Sequence, residues 1–169
     1  MRAALLFLLL FAAGDEASLR DEVRTLPMNG LRADQIQDTF HSTRGGGTRE
    51  HRATDILAPR GTPVLAVADG TIAKLFLSVP GGNTIYEFDP SGTWCFYYAH
   101  LDGYAPGLHE GMAVRHGDTI GFVGTTGNAG NTPHLHLEFS RLGPEKHWWQ
   151  STPVDPYPIL MALAAGARS

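Results

Sequence analysis

Two short clusters in this chain carry donors for a divalent metal: His134-Leu135-His136 near the C-terminal end and His51-Arg52-Ala53-Thr54-Asp55 upstream. Two imidazoles and one carboxylate meet the ligand count of a catalytic zinc that keeps its fourth position open for water. His100, in Tyr98-Ala99-His100-Leu101, adds a further imidazole. The histidines not used as ligands are left for proton transfer, because imidazole titrates close to neutral pH.

If Pro133 to Ser140 is a strand, His134 and His136 project from one face while Leu135, Leu137 and Phe139 project from the other. One face is then chemical and the other is core. The two histidines stand about 7 Å apart along such a strand, which suits one ligand beside one base better than joint chelation. His136 is assigned to metal and His134 to catalysis, although spacing alone permits the exchange. His51 and Asp55 have helical spacing, but Arg44-Gly45-Gly46-Gly47-Thr48 before them and Ala58-Pro59-Arg60-Gly61-Thr62-Pro63 after them leave room only for a loop entering a short strand.

A bound zinc would make water a usable nucleophile near neutral pH and polarise an amide carbonyl. The chain has no His-Glu-x-x-His helix, so histidine must stand in for the usual glutamate base. Glu138 is expected on the same strand face as the two histidines, as an outer partner of a ligand or in a rim ion pair.

The run His51-x-x-x-Asp55-Ile56-x-Ala58-Pro59-x-Gly61-Thr62-Pro63-Val64-x-Ala66-x-x-x-Gly70, then Tyr98-Ala99-His100-Leu101, Gly121-x-x-Gly124-x-Thr126-Gly127-Asn128 and His134-Leu135-His136, resembles the lysostaphin/LytM-type zinc metalloendopeptidases. The likeness extends from about Leu26 to Leu160. It implies peptide-bond hydrolysis in the bacterial cell wall, one Zn²⁺ held by His51, Asp55 and His136, and His100 and His134 as catalytic histidines. On chemical grounds His134 is cast as the base, with His100 as its partner, orienting the water or donating to the oxyanion and leaving amine. One departure is Ala53, where the family usually has glycine; alanine does not take positive φ easily, so a slightly different loop setting is expected.

A chain of 169 residues is long enough for one domain with its own core. A hydrophobic fraction of 43% with 20 glycines and 11 prolines suggests many short strands rather than a helical bundle. The expected fold is mainly β: one domain on an antiparallel sheet, with loops forming the zinc cleft and short flanking helices. Met1-Arg2, the apolar run Ala3 to Ala13 and the small residues before Asp15 have the form of a secretory signal peptide, and the run is too short to span a bilayer. The expected division is signal peptide 1–14, lead segment 15–30 and peptidase domain 31–165, with no stable membrane span.

The net charge of −4 becomes −5 when Arg2 leaves with the signal, since residues 1–14 hold no other charge. An acidic chain is a poor candidate for nucleic-acid binding. The single Cys95 excludes an internal disulfide, and no cysteine follows the apolar run to take a lipid. A free periplasmic protein is expected. Strand alternation places Cys95 opposite His100, as a small core residue.

Strands are expected over Val64–Ala68, Thr71–Leu77, Asn83–Phe88, Trp94–His100, Thr119–Val123 and His134–Ser140, with a hairpin joining the third and fourth. A short helix over Arg32–Phe40, a surface loop over Gly103–Arg115 and a C-terminal helix over Pro156–Ala164 complete the reading. His41, His109, His116 and His147 are expected to be exposed. Trp148 and Trp149 either line a substrate groove or pack beneath the C-terminal helix, and 127–131 forms a rim of the cleft or an ordinary turn. The rival functions are a non-catalytic regulator of cell-wall amidases, a zinc hydrolase of another amide and a simple metal-binding jelly roll. Family members cut glycine bridges or D-alanyl cross-links. The absence of wall-binding repeats and of a basic tail favours D-alanyl to diaminopimelate bonds.

Overall fold

The computed structural model describes residues 17–44 and 46–166; the expected signal segment lies outside them. Strands β1 (Thr43–Arg44) and β2 (Arg49–Glu50) pair with each other across the glycine-rich turn. The remaining strands join one antiparallel sheet: β3 (Thr54–Leu57), β4 (Pro63–Leu65), β5 (Gly70–Ser78), β6 (Gly82–Phe88), β7 (Trp94–Tyr104), β8 (Ala113–Val114), β9 (Thr119–Val123), β10 (His134–Leu142) and β11 (Ser151–Val154). Their order is β11-β10-β7-β6-β5-β8, with β3 on β10 and with β9 bridging β4 and β7. A helix over Tyr157–Gly166 follows. Among the described residues no helix is long and apolar enough to cross a membrane.

Alternation decides which face holds the core. Leu135, Leu137 and Phe139 of β10 are fully buried and lie opposite Ile56, Tyr98 and Phe96 of the flanking strands. Leu19, Val23, Ile159 and Leu160 belong to the same cluster. The N-terminal segment is tied on by main-chain bonds, Arg24 N–H to the Val67 carbonyl at 2.8 Å and Leu65 N–H to the Pro27 carbonyl at 2.8 Å. Each fully buried aliphatic or aromatic side chain contributes about 1.5–3 kcal/mol, so the core face anchors the sheet while the other face is left for polar groups.

Three expectations are corrected. The helix over Arg32–Phe40 is only a 3₁₀ turn at Ala33–Gln35, because Ile36 is extended (φ −93°, ψ 119°) and the Thr39 hydroxyl bonds the Ala53 carbonyl at 3.1 Å instead of its own helix. The loop over Gly103–Arg115 is entered by β7, which runs on to Tyr104 to pair with β9, and is left by β8, which edges β5. Cys95 is buried, yet it lies on the face of His136, since Ser140 opposes Cys95 and Ala99 opposes His136 in one unbroken register. His100 is the residue that breaks alternation. Its φ of +63° sits where the pairing of β7 with β6 shifts register between Tyr98 and Leu101, a bulge that turns the ring from the core side to the polar side.

One polar group is sealed on the core side. Glu87 is fully buried; the Tyr98 hydroxyl donates to its Oε2 at 2.7 Å and itself accepts from Val67 N–H at 2.9 Å, while Oε1 meets no donor. Burial pushes this carboxyl up to about 8, against the lowering effect of the Tyr98 bond. A folded-state value above the unfolded 4.5 means that protonated Glu87 supports the fold at low pH and that this support is lost as pH rises through about 8. Glu87→Gln is therefore expected to melt several degrees above the parent at pH 8.5 and to lose that advantage at pH 5, at about 2–4 °C per kcal/mol. Parallel melting curves for the two proteins across that range would sink the assignment.

Candidate metal centre

The pairing of β3 with β10 sets Asp55 directly across from His136. His51 joins them from the preceding loop, whose backbone is pinned by His51 N–H to the Ser42 carbonyl and Arg52 N–H to the Phe40 carbonyl, each at 2.8 Å. The left-handed residue of this loop is Arg52 (φ +62°), while Ala53 is fully buried and outside that region. Alanine in place of glycine thus carries no left-handed strain at this position.

Three atoms converge: His51 Nε2, Asp55 Oδ1 and His136 Nδ1 lie 3.0 Å from one another on each side. Ligands of one small cation keep such spacings when each is about 2.0–2.2 Å from it. Tautomer chemistry points the same way. His51 Nδ1 faces the Thr39 carbonyl at 3.0 Å; a carbonyl only accepts, so Nδ1 carries the proton and Nε2 of the neutral ring presents a lone pair. Lone pairs on His51 and His136 facing a carboxylate at these distances repel unless a proton or a cation lies among them. The residues present therefore fit a divalent metal, and the set could hold one.

Asp55 is held ionised. Burial would raise its carboxyl, but the facing imidazoles of His136 and His51 outweigh that and hold it far below the usual carboxylate range. Its second oxygen, Oδ2, accepts from Arg44 Nη2 at 2.7 Å, which leaves Oδ1 as the oxygen turned to the cluster. Burial likewise pushes His136 down.

The other two histidines stand beside the cluster. The His100 and His134 ring centroids are 4.8 Å apart, and His134 Nε2 is 3.9 Å from Asp55 Oδ1. His100 Nδ1 faces the Thr126 carbonyl at 2.9 Å and His134 Nδ1 the Thr132 carbonyl at 2.9 Å. By the same reasoning both rings turn bare Nε2 atoms toward the cleft. Burial lowers His100 to about 4, the Thr126 bond opposing this, so His100 enters neutral solution as an acceptor. The carbonyl that fixes it depends on two glycines pressed together. A Cβ on Gly82 (φ +66°) would lie 2.4 Å from the Thr126 carbonyl carbon, and one on Gly127 (φ +70°) would lie 2.3 Å from Gly82 N.

All five residues expected at the site thus line one open cleft of about 350 Å³. Arg44, Arg49, Asn128 and Ala129 line it too; the last two come from the 127–131 turn. Arg44, Arg49 and the carbonyls of Thr39, Thr126 and Thr132 had no signal in the sequence, because an isolated arginine or a backbone oxygen carries no spacing pattern. Glu138 opposes Tyr97 on the same face and is pushed up to about 7 by burial, with the Ser140 bond and the charge of Arg52 acting against it. His41, His109 and His116 are exposed, and His147 is half-buried against Trp149.

An antiparallel sheet that presents three converging donors and two spare imidazoles has the build of a metal-dependent hydrolase. Residues 49–156 match Peptidase family M23, more than half of the chain, and the chain belongs to that family. It is 35% identical over 164 residues to the L-Ala--D-Glu endopeptidase of Bacillus subtilis, covering 92% of this chain and 48% of that protein. It is 38% identical over 102 residues to the peptidoglycan DD-endopeptidase ShyC of Vibrio cholerae, covering 60% and 23%. The chain thus spans half or less of the length of these relatives. The catalytic domain of the antimicrobial peptidase lysostaphin from Staphylococcus simulans superposes with a TM-score of 0.58 at 28% identity, covering 82% of this chain and 86% of that one.

Two outcomes test the site. Chelator treatment should lower the melting temperature and added Zn²⁺ should restore it, because a ligand bound only by the native state stabilises it; Asp55→Ala should abolish the difference. Gly82→Ala should cost at least about 2 kcal/mol in chemical denaturation, from left-handed strain plus the clash with Thr126, and wild-type stability in that variant would refute the close approach.

Proposed function

We propose that this chain is a zinc-dependent endopeptidase that hydrolyses peptide cross-links of bacterial peptidoglycan, acting on D-alanyl to diaminopimelate bonds in the periplasm. The observation that carries the reading is the 3.0 Å triangle of His51 Nε2, Asp55 Oδ1 and His136 Nδ1, with His51 Nδ1 committed to a carbonyl. Membership of family M23 supports peptide-bond hydrolysis. The relatives differ in the bond their names give, an L-Ala--D-Glu bond in one and a DD bond in another. The apolar leader and the location of the polymer support export. All five site positions are filled, which speaks against the non-catalytic amidase regulator.

In this reading His51, Asp55 and His136 hold one zinc ion. The ion, when bound, lowers the pKa of water to about 7 and polarises the scissile carbonyl. Arg44, on Asp55 Oδ2, keeps that carboxylate turned with one oxygen inward. His134 Nε2 accepts the proton of the attacking water and then delivers it to the leaving amine. His100 Nε2 accepts a hydrogen bond and orients that water. The Thr126 contact disfavours donation from His100 to the oxyanion, because it leaves Nε2 without a proton in the neutral ring.

Digestion of defined muropeptides followed by mass analysis tests the bond: release of new D-alanyl carboxyl ends is expected, and cleavage between L-Ala and D-Glu instead would overturn the assignment. His134→Ala should lose about 10²–10⁴-fold in turnover while retaining metal, whereas His136→Ala should lose the metal. The reverse pattern would exchange the two roles.

A further inference from the structure

We infer that a row of aromatic rings leading from His136 to Trp149 binds the glycan backbone of the substrate, taking N-acetylated aminosugar rings by stacking. The inference rests on the peptidoglycan reading above for the origin of the sugar. The row lies on the polar face of the sheet. Glu138 opposes Tyr97, Tyr97 opposes Tyr86, and Phe76 sits one strand further on, opposite Thr84, so the rings cross β10, β7, β6 and β5 in turn. Ring centroids are 6.0 Å apart from His136 to Tyr97, 4.6 Å from Tyr97 to Tyr86 and 4.8 Å from Tyr86 to Trp148. Trp148 is also 5.1 Å from Phe76 and meets Trp149 edge-on at 5.2 Å.

The connection from β10 to β11 delivers the two tryptophans. Lys146 takes positive φ (+54°) and its Nζ donates to the Gly92 carbonyl, which folds the segment back over the sheet. Trp148 is half-buried against Phe76 and Tyr86, so the expected packing beneath the C-terminal helix is replaced by packing on the polar face. Trp149 is 63% exposed, its indole stacked at 10° on His147. Phe76 (39% exposed) is the other ring of the row that is open to water. Burial would stabilise this surface by about 25 cal/mol per Å². A contiguous apolar patch left in water beside a cleft marks a binding surface.

The chemistry selects the occupant. Indole and phenol rings offer flat apolar faces with N–H and O–H groups at their edges. A pyranose ring matches them with one C–H face and a rim of hydroxyl and acetamido groups. Reach also agrees: a stem peptide extends about 3.3–3.6 Å per residue, so with a cross-link at the metal centre its sugar falls a few ring-to-ring steps along the row.

Titration with tetra-N-acetylchitotetraose, read by tryptophan fluorescence and calorimetry, tests the site without turnover. The wild type should bind, Trp149→Ala should weaken binding about tenfold, a loss of 1.4 kcal/mol, and Trp149→Phe should restore most of it. With turnover as the readout, Trp149→Ala should raise KM for a disaccharide-bearing muropeptide about tenfold more than for its sugar-free peptide. No sugar binding by the wild type, equal binding by Trp149→Ala, or a patch occupied instead by anionic vesicles or by a second copy of the chain in sedimentation would each overturn the inference. Failure of the endopeptidase reading would look different: both peptides uncut by the zinc-loaded protein, with chitotetraose binding intact.

Discussion

Three donor atoms held within 3.0 Å of one another are the constraint around which this site is built. Left alone, two imidazole lone pairs and a carboxylate would drive each other apart, and the fold resists this by tying each side chain from behind. The Thr39 carbonyl takes the far nitrogen of His51, Arg44 takes the far oxygen of Asp55, and the pairing of β3 with β10 sets Asp55 against His136. A cation placed among them turns repulsion into attraction. The apolar side of the same strands, with Leu135, Leu137 and Phe139 fully buried, supplies the free energy that holds the arrangement.

Backbone strain is gathered around this centre. His100 and Arg52 are two of the three non-glycine residues with positive φ among those described, and both serve the site. Left-handed backbone costs about 1–2 kcal/mol per residue, tolerable only where surrounding bonds over-determine it. For Arg52 the Phe40 carbonyl supplies this; for His100 the Gly81 carbonyl does, at 2.8 Å from its N–H. The close approach of Gly82 to Gly127 belongs to the same device, since it carries the Thr126 carbonyl onto His100. The site is thus positioned by register shifts, turns and tight contacts at strand ends, while the regular strands provide rigidity.

Much of this was legible in the sequence because it follows from short-range rules. Alternation along His134 to Phe139 separates chemical from core positions, since side chains on a strand repeat with period two. Turn residues mark the ends of β5, β6, β9 and β10, and the strands expected there agree with the structure to within two residues at either end. The gathering of His51, Asp55, His100, His134 and His136 was expected from their residue types and motif order, and the structure brings all five to one cleft.

What failed to show has a common cause. The bulge at His100 is decided by the register of β7 on β6, where its N–H reaches the Gly81 carbonyl, so simple parity put Cys95 on the wrong face. The residues after Gln35 were diverted from a helix by Thr39, whose hydroxyl bonds Ala53 and Asp55, 14 and 16 residues away. β11 contains Pro153, tolerated because an edge strand leaves one side of its ladder unpaired. Residue types and local periods determined the sheet, its two faces and the donors that could meet; tertiary structure alone decided which nitrogen each histidine presents, which face His100 takes, and where Trp148 and Trp149 come to rest. Those outcomes depend on contacts between segments far apart in the chain, and no local pattern encodes them.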